Sequence, residues 1–203
     1  EMLRPARVNP VIRHDAELRQ ALDGEWRFRL DPEDRGLGEG WFRSTRHLLE
    51  RIQVPSCWQG QGFGGSEPDE LWDFRLRART FRATYKGTGW YGHTFQVPPD
   101  WREKRLWLAF GGAHPSAEVW LNGVRLGENA LPFVPFQFDI TAAACAAADN
   151  ELLVRVHEQN REFGLAFNWQ GNWSGLYRGV DLVATGSCWL DRCAVLPDVD
   201  AGA

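Results

Sequence analysis

The sequence predicts an all-β fold, a two-sheet antiparallel sandwich, on three observations. Apolar residues recur with period two through most of the chain after residue 88. The runs are short and separated by strong turn signals, and almost no stretch keeps the 3.6-residue period of a helix.

Taken in order, "GEWRFRL" (24–30) predicts a strand and "IQVP" (52–55) a short one, with the polar, turn-rich loop "DPEDRGLGEGW" (31–41) between them. Between Ser56 and Thr88 the glycines, charges and aromatics keep no period, which predicts long loops laid across a sheet, usually functional or particular to a family. In "GWYGHTFQVP" (89–98) Tyr91, His93, Phe95 and Val97 share one face, and Pro98-Pro99 ends the strand. "RLWLAF" (105–110) sets Leu106, Leu108 and Phe110 against Trp107, and Gly111-Gly112 follows as a turn. "AEVWLNGVRLG" (117–127) predicts a hairpin, because Asn122-Gly123 suits the two positive φ angles of a type I′ turn.

"PFQFDIT" (135–141) and "NELLVRVHE" (150–158) alternate as half-buried strands, the second with Leu152, Val154 and Val156 opposite Arg155 and His157. The alanine-rich connector "TAAACAAAD" (141–149) can make one helical turn capped by Thr141. "LYRGVDLVAT" (176–185) and "CWLDRCAVLP" (188–197) supply two further strands, and "DVDAGA" (198–203) has no pattern. The expected organisation is an N-terminal extension over 1–21, one domain over 22–196 and a linker or tail over 197–203.

Composition narrows the class. With 203 residues, 43% hydrophobic and 25% charged, the chain can bury one sizeable core. The formal net charge of −4 comes from interspersed signs, so no basic face suits a nucleic-acid backbone. No apolar run reaches the roughly 18 residues of a membrane helix, so neither nucleic acid nor membrane is an expected partner. The N-terminus lacks a signal-peptide core, which leaves a cytoplasmic protein or one whose signal has been removed for periplasmic or secreted life. Cys57, Cys145, Cys188 and Cys193 lack metal-type pairing and are expected as free thiols. The histidines at 14, 47, 93, 114 and 157 have no paired spacing, with His93 and His157 expected as sheet residues. No metal and no cofactor is therefore expected. Eleven tryptophans are a surplus that length and class leave unexplained.

Seven motifs in order, "LDGEWRFRLDP" (22–32), "VPSCWQ" (54–59), "GWYGHTFQVPPDW" (89–101), "LWLAFGGAHPSAEVWLNGVRLG" (106–127), "PFQFDIT" (135–141), "NELLVRV" (150–156) and "SGLYRGVDL" (174–182), resemble the N-terminal sugar-binding domain of glycoside hydrolase family 2, the β-galactosidase, β-glucuronidase and β-mannosidase family. The resemblance implies a galactose-binding-like jelly roll. It also implies that an immunoglobulin-like domain and a (β/α)8 barrel follow, and that the barrel carries both catalytic glutamates. Two stretches depart from the family: "ENALPFVPFQF" (128–138) where relatives have a glycine-rich turn, and the arginine-rich "QGQGFGGSEPDELWDFRLRARTFRATYKG" (59–87).

A retaining glycosidase needs two carboxyl groups flanking one bond, with their pKa values pushed apart. Glu67, Asp69 and Glu70 lie in a charged stretch with nothing to desolvate one selectively, so no catalytic residue is assigned. Sugars want amides for their hydroxyls and rings for their C–H faces. In "FNWQGNWSGLYRGVDL" (167–182) the candidates for sugar contact are Asn168, Trp169, Gln170 and Asn172, while Trp173, Tyr177 and Arg178 are expected to be scaffold. Trp58 and Gln59, with Gln61, form a second amide-and-indole cluster. The expected partners are a β-glycoside carbohydrate and the downstream domains of one enzyme. A free-standing carbohydrate-binding module and a purely structural domain stay open as alternatives.

Overall fold

The computed structural model describes residues 18–65, 85–157 and 174–186. Ten strands build two antiparallel sheets: β1 (Arg19–Ala21), β2 (Gly24–Asp31), β3 (Glu50–Val54), β4 (Thr88–Phe95), β5 (Arg105–Phe110), β6 (Ala117–Leu121), β7 (Val124–Asn129), β8 (Phe136–Asp139), β9 (Asn150–His157) and β10 (Val180–Thr185). The smaller sheet has the order β1-β10-β5-β8 and the larger β3-β2-β4-β9-β6-β7. Among the described residues every element of at least four residues is a strand, as the period-two pattern predicts, and the helical segments are three-residue 3-10 turns. The first strand pairs Arg19–Ala21 with Asp181–Val183, ahead of the expected domain start at residue 22. The segment 188–197, with Cys188 and Cys193, lies outside the described residues, and Cys57 and Cys145 are free thiols.

Alternation sends one face of each sheet into a shared core. Phe28, Tyr91, Leu108, Phe110, Val119, Leu121, Val154 and Leu182 are all at most 1% exposed there. The pairing registers fix these faces: Phe28 lies opposite Tyr91, Tyr91 opposite Val154, and Leu108 opposite Leu182. A one-residue slip would carry each apolar set to the other face.

Part of the outer face of the larger sheet is covered as well, which corrects the expectation that β9 is half-buried, while β8 alternates as expected. The connection between β2 and β3 lays Trp41 and Leu48 over Trp90, Trp120 and Leu153, forming a second apolar cluster. Its anchor is Asp31, which accepts the Arg35 and Gly36 amides at 2.9 and 2.8 Å and the Trp90 indole N–H at 3.1 Å. On the same strand as Leu153, Arg155 is 5% exposed and reaches Asp34 and Glu118, each at 2.7 Å. β9 is therefore a central strand buried on both faces.

Among the described residues the tryptophans go into packing. All seven tryptophans among the described residues (26, 41, 58, 90, 101, 107 and 120) are buried. The alanine-rich connector makes a single turn, as expected, with the Ala143 and Ala144 amides both donating to Ile140 O. Thr141 does not cap a helix; its hydroxyl donates to Asp139 at 2.7 Å and accepts the Leu106 amide at 3.0 Å.

The predicted hairpin is present, with Asn122 at φ 52° and Gly123 at φ 78° between β6 and β7. Asn122 also clamps the neighbouring turn, donating to Ala143 O and Asn150 Oδ1 at 2.9 Å and accepting the Glu151 amide at 2.9 Å. Gly123→Val forces a β-branched residue into the left-handed region, and we expect it to cost about 1–2 kcal/mol. A urea midpoint equal to that of the unaltered chain would refute this.

Candidate functional site

Three segments converge at one end of the sandwich: 111–116 between β5 and β6, 130–135 between β7 and β8, and 174–179 ahead of β10. His114 and Gly175 exchange backbone hydrogen bonds at 3.0 and 2.8 Å, and Ser116 Oγ donates to His157 O at 2.6 Å. Tyr177 Oη donates to Pro132 O at 3.1 Å, and the Phe133 ring lies 5.5 Å from His114 and 6.4 Å from Tyr177. Convergence of loops on a rigid sandwich is where binding groups are ordinarily placed.

The stretch around residue 57 braces this end. Ser56 N donates to Leu176 O at 2.8 Å and Trp58 N to Ser174 O at 3.0 Å. Gln59 is 5% exposed, donates to Tyr85 O at 3.0 Å and accepts the Ser174 amide at 2.8 Å. Trp58 is fully buried against Phe28 and Tyr85. Gln61 exchanges two 2.9 Å bonds with the Gln53 backbone and also donates to Ser56 Oγ. These side chains hold the backbone at Ser174 and Leu176. As placed, Trp58 and Gln59 present neither ring face nor free amide to a sugar. Asn168, Trp169, Gln170 and Asn172 lie outside the described residues, as do Trp173, Glu67, Asp69 and Glu70.

The backbone of Gly175 makes this bracing possible. Its φ is +143°, and a Cβ there would meet Tyr91 Oη at 2.6 Å and Ser56 O at 2.7 Å. The sequence starts a strand at Leu176, whereas β10 begins at Val180, and only the tertiary contact shows why residue 175 is glycine.

Among the described residues no group of three or more His, Cys, Asp or Glu side chains could hold a metal ion, and no helix is long and apolar enough to cross a membrane. A polar depression of about 190 Å³ is lined by Arg29, Asp31, Glu33, Arg35, Glu39 and Trp41. Its groups mostly serve one another: Arg29 stacks 4.0 Å over Trp41, whose indole N–H donates to Glu39 at 2.9 Å, and Arg35 pairs with Glu33 at 3.1 Å.

The perturbed carboxylates have structural causes. Burial opposes ionisation of Asp34, but the Arg155 guanidinium outweighs it and holds the carboxyl below its usual value. Thr141 and Arg105 do the same for Asp139. Burial pushes the Tyr91 phenol up, so it stays protonated.

His93, stacked on Trp26 at 4.8 Å, and His157, hydrogen-bonded to Thr88 Oγ1, are the sheet histidines the sequence suggested. Desolvation holds both below 6.5, with the Arg155 charge adding to it at His157. The unfolded chain therefore binds protons that the folded chain refuses as pH falls through 6.5, and stability declines on that side. We expect the urea midpoint to drop between about pH 7.5 and 5, and the His93→Gln/His157→Gln variant to flatten the profile. An equally steep profile in the variant would assign the drop to other groups.

A family model described as "Glycosyl hydrolases family 2, sugar binding domain" matches residues 19–186. A β-glucuronidase of Paenibacillus borealis is 27% identical over 206 residues, an alignment covering 88% of this chain and 31% of that protein. A β-galactosidase of Priestia megaterium is 27% identical over 82% of this chain and 17% of its own length. Among solved structures, the Ruminococcus gnavus β-glucuronidase in complex with D-glucuronic acid superposes with a TM-score of 0.68 at 27% identity, over 86% of this chain and 31% of that one. The chain thus spans less than a third of the length of each of these proteins.

Proposed function

The chain belongs to the sugar binding domains of glycosyl hydrolase family 2, and from that premise we propose that it is the non-catalytic N-terminal domain of a β-glycosidase. It serves there as scaffold and as an accessory sugar-contact surface. The observation that carries this is coverage: the family match takes in all ten described strands, while whole relatives are more than three times as long as the part they share with this chain. The domain extends over about 22–196 together with the β1 strand that precedes it, and Asn168, Trp169, Gln170 and Asn172 supply its sugar contacts. Trp58 and Gln59 contribute indirectly, by holding the backbone at Ser174. Catalysis falls to an acid and a nucleophile in a following barrel domain, with an immunoglobulin-like domain between.

A partial pocket binds weakly, since each hydrogen bond at a wet surface gains only about 0.5–1.5 kcal/mol while the sugar loses its freedom to tumble. The 203-residue chain alone is therefore expected to hydrolyse no aryl glycoside, and to bind glucuronate, galactose or mannose with a Kd above about 1 mM. In the enzyme from the full reading frame, Trp169→Ala or Asn168→Ala should lower kcat/KM for an aryl β-glucuronide or β-galactoside by about tenfold, with the thermal midpoint nearly unchanged. Calorimetric titration of the isolated chain and kinetics of the full enzyme make the test. Micromolar binding by the chain alone would favour a free-standing module, and unchanged kinetics would return the four residues to scaffold.

A further inference from the structure

We propose that Asn122 is a latent modification site: the fold bars its side chain from closing a succinimide ring with Gly123, and opening of the β6–β7 turn lets the chain deamidate itself, irreversibly, to aspartate or isoaspartate.

Asn122-Gly123 is the only Asn-Gly pair in the sequence. The nucleophile in such a pair is the glycine amide nitrogen, which has no Cβ beside it to hinder approach to the asparagine Cγ. The space around Gly123 is open as well. Apart from its chain neighbours, the nearest atom to a Cβ built there is Arg43 Cα, at 4.0 Å. Asn122 is exposed, so water and hydroxide reach the turn. Asn129 and Asn150, by contrast, are buried and precede alanine and glutamate.

Two features of the fold oppose the reaction. Asn122 Nδ2 donates to Ala143 O and Asn150 Oδ1, both at 2.9 Å, while Oδ1 accepts the Glu151 amide at 2.9 Å. These three bonds must break before Cγ can swing towards residue 123. The backbone is the second restraint, because Asn122 has φ 52°, in the left-handed region where ψ is about +47°. At that ψ the next nitrogen lies nearly anti to Cβ, whereas ring closure needs the two nearly eclipsed.

Opening of the turn removes both restraints together. Solvent base takes the Gly123 amide proton, the nitrogen bonds to Asn122 Cγ, and the Cγ–Nδ2 bond breaks, Nδ2 leaving as ammonia with a proton from water. Water then adds to one of the two ring carbonyls. Cleavage at Cγ leaves aspartate, and cleavage at the main-chain carbonyl leaves isoaspartate, whose backbone runs through Cβ. Neither product rebuilds the clamp: a carboxylate has no proton to donate to Ala143 O or Asn150 Oδ1 and meets two acceptors instead. Isoaspartate also lengthens the turn that sets Leu121 opposite Val124. The hairpin thus keeps a permanent chemical record of having opened.

The test incubates the 203-residue chain at mildly alkaline pH, folded and in denaturing urea. Mass spectrometry of a digest follows the fragment holding residue 122, and chromatography separates its aspartyl and isoaspartyl forms. Deamidation there is expected to run at least about tenfold faster in urea. Chain modified in urea should refold with a lower urea midpoint or not at all, and Asn122→Asp, which copies one product, should shift the midpoint the same way. Equal rates in the two states would show that the fold does not restrain the turn. No modification in urea would remove the site, and a modified chain or variant with the parent midpoint would show that the clamp does not depend on the amide; each of these overturns the proposal. The rate comparison uses the unaltered chain, so it decides the matter where Asn122→Asp does not fold.

Discussion

Trp90→Ala is expected to destabilise the chain by about 3–5 kcal/mol, the range for emptying a buried aromatic site. Trp90 is fully buried, stacks on Trp120 at 5.4 Å and meets Trp41 edge-on at 6.2 Å. Its indole N–H is one of the three donors on Asp31, the residue that ties the β2–β3 connection to the sheet. Two losses therefore combine: a cavity against Gly36, and a buried carboxylate short of one donor. Trp90→Phe retains most of the ring volume and should cost less than half as much. Guanidinium unfolding of the three proteins measures both differences, and an alanine variant within about 1 kcal/mol of the parent would show that the connection does not depend on this indole.

Gly175→Ala should cost about 3 kcal/mol or more, although it adds a single methyl group. The φ of +143° disfavours any L side chain, and the new carbon would sit 2.7 Å from the Ser56 carbonyl oxygen. Ser56 cannot readily retreat, because its own amide is bonded to Leu176 O at 2.8 Å. Relief would require opening the brace between residues 56–59 and 174–176, and with it the anchor of the proposed sugar-contact stretch. In the full enzyme, kcat/KM should fall along with stability. A variant that kept its midpoint but lost activity would separate the two roles.

Which parts of this fold were legible in the sequence follows from the reach of the signals. Asn122-Gly123 is a local instruction, and β6 and β7 obey it. Period two correctly groups Tyr91 with Phe95 and Leu106 with Leu108 and Phe110 in one core. The same period reports only which residues share a face, and is silent on what covers the other. In β9 the face of Leu153 and Arg155 thus looked like the open side of a half-buried strand, whereas a connection of polar composition lies over Leu153 together with Trp90 and Trp120. The anchoring is hidden for a related reason: Gln59 and Ser174 are 115 positions apart, and Gly175 is required by a carbonyl at Ser56. An amide-and-indole cluster at 58–61 looks alike in sequence whether it faces a sugar or spans two loops. Burial separates the two cases, and Trp58 is fully buried.

The stacked indoles also set what light can report about this protein. Trp90 and Trp120 lie 5.4 Å apart at an interplanar angle of 29°, with Trp41 beside them. Chromophores this close exchange excitation before they emit and couple their transition dipoles. Emission from this cluster is consequently depolarised, and its circular dichroism bands belong to a pair rather than to single rings. A ligand arriving at the loop end would alter such a spectrum little, whereas lifting the β2–β3 connection would alter it strongly. Aromatic dichroism is thus an optical gauge of the outer face of the larger sheet, and sugar binding is better followed by heat or by a probe on the ligand.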